Sequence, residues 1–187
     1  MLKGKFVALR AIEEEDLPQL VAWRNNPAMR KYFREIYEIN RANQKKWFES
    51  INEKDSRNKM FAITDVNTGE LLGACGFCYI DWVNRSADFS IYIGYQDLYM
   101  DDHYAIDAGN VMRDYGFGVL NLHRLWTEIY SIDTIKQSYF QKMGFSLDGI
   151  HPHTYWYNNT WHNSHFYSCL NTVPDTTRSV HSSHTVA

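Results

Sequence analysis

The chain has 187 residues, the size of one domain with a single substantial core. Hydrophobic residues make up 44% and aromatic residues 16%, a composition that excludes a disordered chain. The formal net charge of −3 offers none of the basic surface that nucleic-acid-binding proteins normally carry. No apolar stretch approaches the roughly 18 residues that cross a bilayer, and the first residues show no signal peptide. We therefore expect a cytoplasmic protein without a membrane or nucleic-acid partner.

The first third of the chain predicts a strand followed by two helices. The strand is expected over 5–10, and an acidic start at Glu13 with apolar residues at helical spacing predicts a helix up to Arg24. Pro27 ends that helix, because a proline disfavours helix in the residue before it. The second helix is predicted over 41–51.

The rest of the chain alternates strands and helices. We predict strands over 59–65, 70–81, 87–94, 122–130, 149–157 and 161–170, and helices over 104–119 and 134–143. This order predicts an α+β fold, a mixed sheet with helices on both faces. We divide the chain into one domain, 1–170, and a Ser- and Thr-rich tail, 171–187. A contact between this tail and a neighbouring subunit would make a homodimer.

Two groups of residues raise the question of a metal site. Cys75 and Cys78 form a C-x-x-C inside a segment with the pattern of a buried strand, and no second pair with metal spacing accompanies them. His151 and His153 share a strand face, but no carboxylate or cysteine completes a ligand set. We therefore expect ordinary core cysteines and no metal.

Several motifs follow one another between residues 91 and 145. They are Asp114-Tyr-Gly-Phe117, Leu120-Asn-Leu-His-Arg124, Glu128 and Gln141-Lys-Met-Gly-Phe145. Their joint order resembles the acetyl-CoA region of the GNAT superfamily, in the branch resembling ribosomal-protein N-acetyltransferases. The resemblance covers residues 4–170 and implies a GNAT-like mixed, mostly antiparallel sheet.

The resemblance also implies a co-substrate, acetyl-CoA, and contacts for it. In GNAT proteins a strand that splays from its neighbour exposes backbone groups to the pantetheine arm, and the next loop and helix start hold the pyrophosphate. The cofactor-binding positions carried over are Ile91, Tyr92, Ile93, Met100, His103, Tyr104, Ala105, Asp133 and Phe140.

The phosphate loop departs from the family pattern. The family has Gln or Arg, two residues, Gly, one residue, then Gly or Ala; these slots hold Met100, His103 and Ala105, and only Ala105 fits. Asp101 and Asp102 stand where the family often has Gly and a basic residue. Acids there either stabilise the start of the helix, or oppose a phosphate or hold a cation.

The chemistry of amine acetylation requires a base, since an alkyl amine near neutral pH is almost entirely protonated. Glu128, on the strand facing the cleft in this fold, is the first candidate, and Asp88 is its rival. The structural alternative is an ion pair with Arg124 or Arg85.

The departing thiolate benefits from a proton donor. The family's tyrosine slot holds Phe140, and the adjacent Tyr139 is the catalytic candidate although a helical step of about 100° favours a core position. Water or an exposed thiolate would replace a missing donor.

The leading hypothesis is an acetyl-CoA-dependent N-acetyltransferase that moves the acetyl group directly to a primary amine on a small molecule or peptide. The acceptor stays open among a protein N-terminal amine, a polyamine, an amino sugar and an aminoglycoside. The alternatives are a GNAT-fold binding protein that has lost acetyl transfer, suggested by Met100, His103 and Phe140, and an enzyme that uses another acyl donor.

Overall fold

A computed structural model of the chain describes residues 1–172, which form one eight-stranded sheet and five α-helices. The strands are β1 Leu2–Lys3, β2 Val7–Ala11, β3 Lys59–Asp65, β4 Leu71–Asp81, β5 Ser86–Ile93, β6 Arg124–Tyr130, β7 Ser146–Tyr157 and β8 Thr160–Leu170. The helices are α1 Leu17–Asn25, α2 Pro27–Arg30, α3 Arg41–Asn52, α4 Tyr104–Asp114 and α5 Thr134–Lys142. Apart from its first two residues, the predicted tail 171–187 lies outside the described residues.

The strands lie in the order β1-β2-β3-β4-β5-β6-β8-β7. Every neighbouring pair is antiparallel except β5 and β6, which are parallel. Parallel strands need a crossover connection, and α4 lies in it. The predicted fold class, a mixed and mostly antiparallel sheet, is confirmed.

The parallel pair is short. Only Ser86, Ala87 and Asp88 of β5 pair with β6, and the pairing ends at Asp88 opposite Trp126. Beyond that point the two strands diverge and leave a gap, here called the wedge, between residues 89–93 and 127–130. This divergence supplies the opening in which the candidate site lies.

Side chains of β5 alternate between the two faces of the sheet, as in any strand. Asp88, Ser90 and Tyr92 line a cleft together with residues of the α1–α3 segment. Phe89 packs edge-to-face on Phe140 of α5, with 5.6 Å between ring centroids. Helices therefore cover both faces of the sheet.

Local side-chain contacts fix several helix ends. Asn40 accepts a hydrogen bond from the Asn43 N–H at 2.8 Å at the start of α3, and Asp133 accepts one from the Lys136 N–H at 3.0 Å at the start of α5. Gly144, with φ +83°, follows the end of α5 as predicted.

The N-terminal half contains a helix that the sequence did not predict, α2. Pro27 ends α1 as expected, but it also opens α2, since its fixed φ suits a first helical turn. The Asn26 side chain accepts a hydrogen bond from the Ala28 N–H at 3.0 Å and caps this turn. The same residues therefore stop one helix and start another.

The helix predicted over 104–119 changes character at Tyr115. Residues Tyr115–Val119 form a wider π-turn. Gly116 lies in this turn against the core, where an added Cβ would stand 2.7 Å from the Phe77 ring. A tight approach at Gly116 thus accompanies the wider turn.

The strand β7 forms one edge of the sheet. Its register against β8 shifts between Leu147 and Gly149 and again between His151 and Tyr155. The second shift contains His153, whose φ is +53°. At the opposite edge, β1 has two residues.

Candidate active site

A cleft of about 370 Å³ opens beside the wedge. Its walls come from the α1–α3 segment, from β4 and β5, and from β6 and α5. Charged residues in the walls are Arg24, Arg34, Glu35, Asp88, Glu128 and Lys136; aromatic residues are Tyr32, Phe33, Trp47, Tyr79, Phe89 and Tyr92.

Arg34, in the loop after α2, joins the two predicted carboxylates. Its Nη1 donates to Asp88 Oδ2 at 2.6 Å, and its Nε donates to Glu128 Oε2 at 3.2 Å. The guanidinium also lies 5.7 Å from the Tyr79 ring centroid. The structure thus brings the two rival bases, Asp88 and Glu128, into one network.

The two carboxylates differ in burial. The Asp88 side chain is 4% exposed and the Glu128 side chain 23% exposed. Burial raises the pKa of the Asp88 carboxyl, against the opposing effect of the Arg34 charge. Burial alone would lower the pKa of Arg34, but its carboxylate partners raise it, so Arg34 stays a permanent cation.

Glu128 has a second fixed contact. Its Oε1 accepts a hydrogen bond at 2.5 Å from Ser164 Oγ on the neighbouring strand β8. The alternative of an ion pair with Arg124 or Arg85 is wrong: Arg124 pairs with Asp148 at 2.6 Å, and Arg85 reaches the Asn121 side chain at 3.4 Å. Glu128 therefore faces the cleft, oriented by Arg34 and Ser164.

Lys136 of α5 reaches the same cleft. Its ammonium lies 5.2 Å from the Tyr99 ring centroid and 5.9 Å from the Phe33 ring centroid. Among the contacts described for residues 1–172, its ammonium forms no ion pair or hydrogen bond. Burial lowers the pKa of Lys136.

The loop before α4 uses its N–H groups internally. The Asp101 carboxylate accepts hydrogen bonds from the backbone N–H groups of His103, Tyr104 and Ala105 at 3.2, 2.9 and 2.8 Å. Asp102 pairs with Lys142 of α5 at 2.6 Å. The helix-capping interpretation thus fits Asp101, and Asp102 has its own cation.

The residues expected to bind acetyl-CoA fall into several environments. Tyr92 lines the cleft, whereas Ile91 and Ile93 are buried in the core. The Ile93 N–H donates to the Tyr99 carbonyl at 2.8 Å. Met100 lines a groove of about 410 Å³ between the loop and α5. Two others point elsewhere: the His103 ring packs on Phe6, and Tyr104 lies edge-on to Tyr95.

The α5 candidates are held within the fold. Tyr139 is buried, and its hydroxyl donates to the Ala105 carbonyl at 3.0 Å. Phe140 is fully buried. Asp133 caps α5 and accepts a hydrogen bond from the Tyr99 hydroxyl. The structure does not bring Tyr139 to the Arg34 network.

The fit to acetyl-CoA is uneven. The wedge fits a pantetheine arm, because β5 and β6 leave each other unpaired there. The start of α4 fits a pyrophosphate less well, because a carboxylate already occupies its N–H groups.

Both cysteines of the C-x-x-C lie on β4, with Cys75 buried and Cys78 partly buried. Burial raises the pKa of the Cys75 thiol and brings that of Cys78 to about 12. Within residues 1–172 no three His, Cys, Asp or Glu side chains are grouped to hold a metal ion. In the same range no helix is long and apolar enough to span a membrane.

The sequence analysis missed two residues that line the cleft, Arg34 and Lys136, and the buried Ser164 that holds Glu128. Arg34 lies in a loop without periodicity, and Ser164 is one polar residue on a strand. Lys136 carried a usable signal, because it stands four residues before Phe140 and so shares its helix face.

Comparison with known proteins gives a family match for most of the chain. Residues 7–146 match the Acetyltransferase (GNAT) domain. The spermidine N(1)-acetyltransferase of Escherichia coli K12 is 30% identical over 159 residues, covering 84% of this chain and 82% of that one. An uncharacterized N-acetyltransferase, p20, of Bacillus licheniformis is 25% identical over 146 residues, covering 77% and 81%.

A solved structure shares the fold. The spermidine N-acetyltransferase of Vibrio cholerae, in complex with CoA and spermine, superposes with a TM-score of 0.79 at 23% identity, over 88% of this chain and 95% of that one. The matches do not support the predicted branch of ribosomal-protein N-acetyltransferases, because the relatives that are named by a substrate are spermidine acetyltransferases.

Proposed function

This chain belongs to the GNAT acetyltransferase family, is an N-acetyltransferase with acetyl-CoA as its co-substrate, and, we propose, transfers the acetyl group directly to a primary amine bound in the cleft beside the wedge. The observation that carries this proposal is the pair of carboxylates, Asp88 and Glu128, held by Arg34 where β5 and β6 separate.

Glu128 is the proposed base. It is the more accessible of the two carboxylates, and Arg34 and Ser164 hold it in one orientation. The proton leaves the ammonium of the acceptor before or during attack on the thioester carbonyl. Asp88 acts through Arg34 in this scheme: its buried carboxylate fixes the guanidinium that in turn orients Glu128.

The acceptor is proposed to be a small amine with its ammonium among carboxylates and aromatic faces. The spermidine acetyltransferases among the relatives make spermidine the first compound to test. The cleft is lined by three acidic and three basic side chains, Glu35, Asp88 and Glu128 against Arg24, Arg34 and Lys136. This balance gives a polycation no net attraction, so we propose an acceptor with one ammonium in the cleft rather than selection for a long polyamine.

The comparisons do not support the alternative of a binding protein that has lost acetyl transfer. Its motivation was the unusual phosphate loop. In that loop the Asp101 carboxylate accepts the N–H groups at the start of α4. This cap bears on the affinity for CoA and leaves the two carboxylates of the cleft in place.

The test is an acetylation assay with acetyl-CoA and a panel of spermidine, an amino sugar, an aminoglycoside and a peptide with a free N-terminus. Release of thiol together with the mass of the monoacetylated amine supports the proposal. Absence of product from every acceptor at millimolar concentrations contradicts it. Incubation with acetyl-CoA alone, followed by intact-protein mass spectrometry, tests direct transfer; an acetylated enzyme that then reacts with amine contradicts it.

A further inference from the structure

Arg24 and Lys136 are the cleft cations that the proposed function does not use, and Lys136 stands on the helix beside the wedge. It stands on α5, the helix that follows β6, and reaches the wedge between β5 and β6. Arg34, by contrast, is engaged with Asp88 and Glu128.

Lys136 stands near the position on α5 where the resemblance places a tyrosine and this chain has a phenylalanine. Phe140 stands in the slot where the resemblance places a tyrosine proton donor, and it is packed among Phe89 and Phe145 with no polar atom to offer. Lys136 lies four residues earlier, one helical turn away on the same face. Its side chain is thus directed to the same side of the helix, displaced toward the helix start.

The surroundings of Lys136 leave its protons free. Its ammonium lies over the rings of Tyr99 and Phe33 and, within residues 1–172, is paired with no carboxylate. The charged and titratable groups that face it are Asp133 on its own helix, Asp88 on β5, Glu128 on β6, Arg24 on α1, Arg34 after α2 and Tyr99 before α4.

We propose that Lys136 is the proton donor to the departing thiolate of CoA, in place of the family's tyrosine. The inference rests on the proposed function. After the amine attacks, the carbon–sulfur bond breaks and its electron pair goes to sulfur, which takes a proton from the Lys136 ammonium. Glu128, after passing the first ammonium proton to water, takes the surplus proton of the amine nitrogen, and the neutral Lys136 recovers a proton from that carboxyl through water in the cleft.

The acid strength of the group suits this step. Burial lowers the pKa of Lys136 from its ordinary value toward that of an alkyl thiol, about 8.5 on the cysteine reference. A lower pKa makes the Lys136 ammonium a stronger acid than an exposed lysine, so it gives its proton to sulfur more readily.

The experiment compares wild type with Lys136→Arg and Lys136→Gln. Arginine keeps the positive charge but gives up a proton only with a pKa above about 12, so both variants should lower kcat with acetyl-CoA by roughly 10²-fold. Lys46→Arg, at an exposed position of α3, is the matched control. Melting temperatures show whether each variant is folded.

Two further readouts separate proton donation from a structural role. Wild-type kcat should fall at alkaline pH as Lys136 loses its proton, and Lys136→Arg should lack that fall. With an acetyl thioester of an aromatic thiol, whose thiolate leaves without a proton, wild type and Lys136→Arg should turn over at similar rates.

If the wild type is active and Lys136→Arg has the same kcat and the same pH profile, the inference is overturned and the proposed function stands. The same follows if Lys136→Arg is as slow with the aryl thioester as with acetyl-CoA. An inactive wild type overturns the proposed function itself, and this inference with it.

Discussion

The cleft and the loop before α4 both hold charged groups in place, but they do so with opposite results. In the cleft, Arg34 and Ser164 fix Glu128 while its carboxylate still faces an open cavity. In the loop, the Asp101 carboxylate takes three N–H groups that would otherwise face a ligand, and Asp102 takes Lys142. A polar network therefore prepares a binding site only where one of its groups still faces open space and can contact a ligand.

The largest expected effect is a loss of activity on substitution in the cleft. Glu128→Gln keeps the shape of the side chain and removes the base, so turnover should fall by roughly 10²–10⁴-fold. Steady-state kinetics with saturating acetyl-CoA measures it, with Glu49→Gln on the exposed side of α3 as control. Turnover equal to wild type would transfer the role of base to Asp88 or water.

The next effect tests whether Arg34 holds the cleft together. Arg34→Met leaves the buried Asp88 without its cation and should lower the free energy of unfolding by about 3 kcal/mol, the low end for broken buried pairs since Arg34 is 38% exposed. Adding Asp88→Asn should restore most of the loss, because the charge that lacked a partner is gone. Urea unfolding measures both. Additive losses in the double variant would show that the pair is not coupled.

The pH dependence of stability tests the burial of Asp88. Its pKa is raised in the folded protein, so the folded state holds that proton more tightly than the unfolded chain does. The contribution is fully present below the unfolded pKa and is lost as pH rises through the folded pKa. Wild type should therefore lose stability relative to Asp88→Asn as pH rises from acid toward neutral, as urea titrations at several pH values can show. Parallel curves would contradict the burial effect.

A smaller effect is expected in the loop. Asp101→Ser keeps a side-chain oxygen for the cap but removes the charge, so stability should change little, whereas Asp101→Ala should cost about 0.5–2 kcal/mol. Removing a charge worth about 1 kcal/mol against a phosphate should tighten CoA binding roughly fivefold in Asp101→Ser, and more at low salt. Calorimetry and thermal melts measure the two quantities. Weaker CoA binding would mean that Asp101 itself positions the loop for the ligand.

The smallest effect concerns Asp102. Its pair with Lys142 is exposed and should contribute at most about 1 kcal/mol, so Asp102→Asn should melt within a few degrees of wild type. If the freed Lys142 turns to the phosphates, CoA binding should strengthen at low salt and lose that gain at high salt. A salt-independent change would exclude that explanation.

Sequence patterns predicted the elements better than the contacts between them. The strand at 59–65 and most of the others followed from alternation and turn residues, because local periodicity determines them. Sequence also selected Asp88 and Glu128, but it placed them as rivals on neighbouring strands. Arg34, which joins them, comes from a loop 54 residues before Asp88, and no local pattern encodes that approach. The Asp101 cap was among the alternatives because its spacing to Tyr104 is local.

The interrupted edge strand β7 has a consequence for aggregation. A free sheet edge exposes a row of unpaired N–H and C=O groups to which a strand of another chain can add. In β7 this row is broken by Pro152, which has no N–H, and by two register shifts, the second of which contains Pro152. The opposite edge, β1, is two residues long. Within residues 1–172 neither edge of the sheet offers a long uninterrupted row for strand addition, so we expect little fibrous aggregation even though Trp156 and Trp161 stand half-exposed near the hairpin tip.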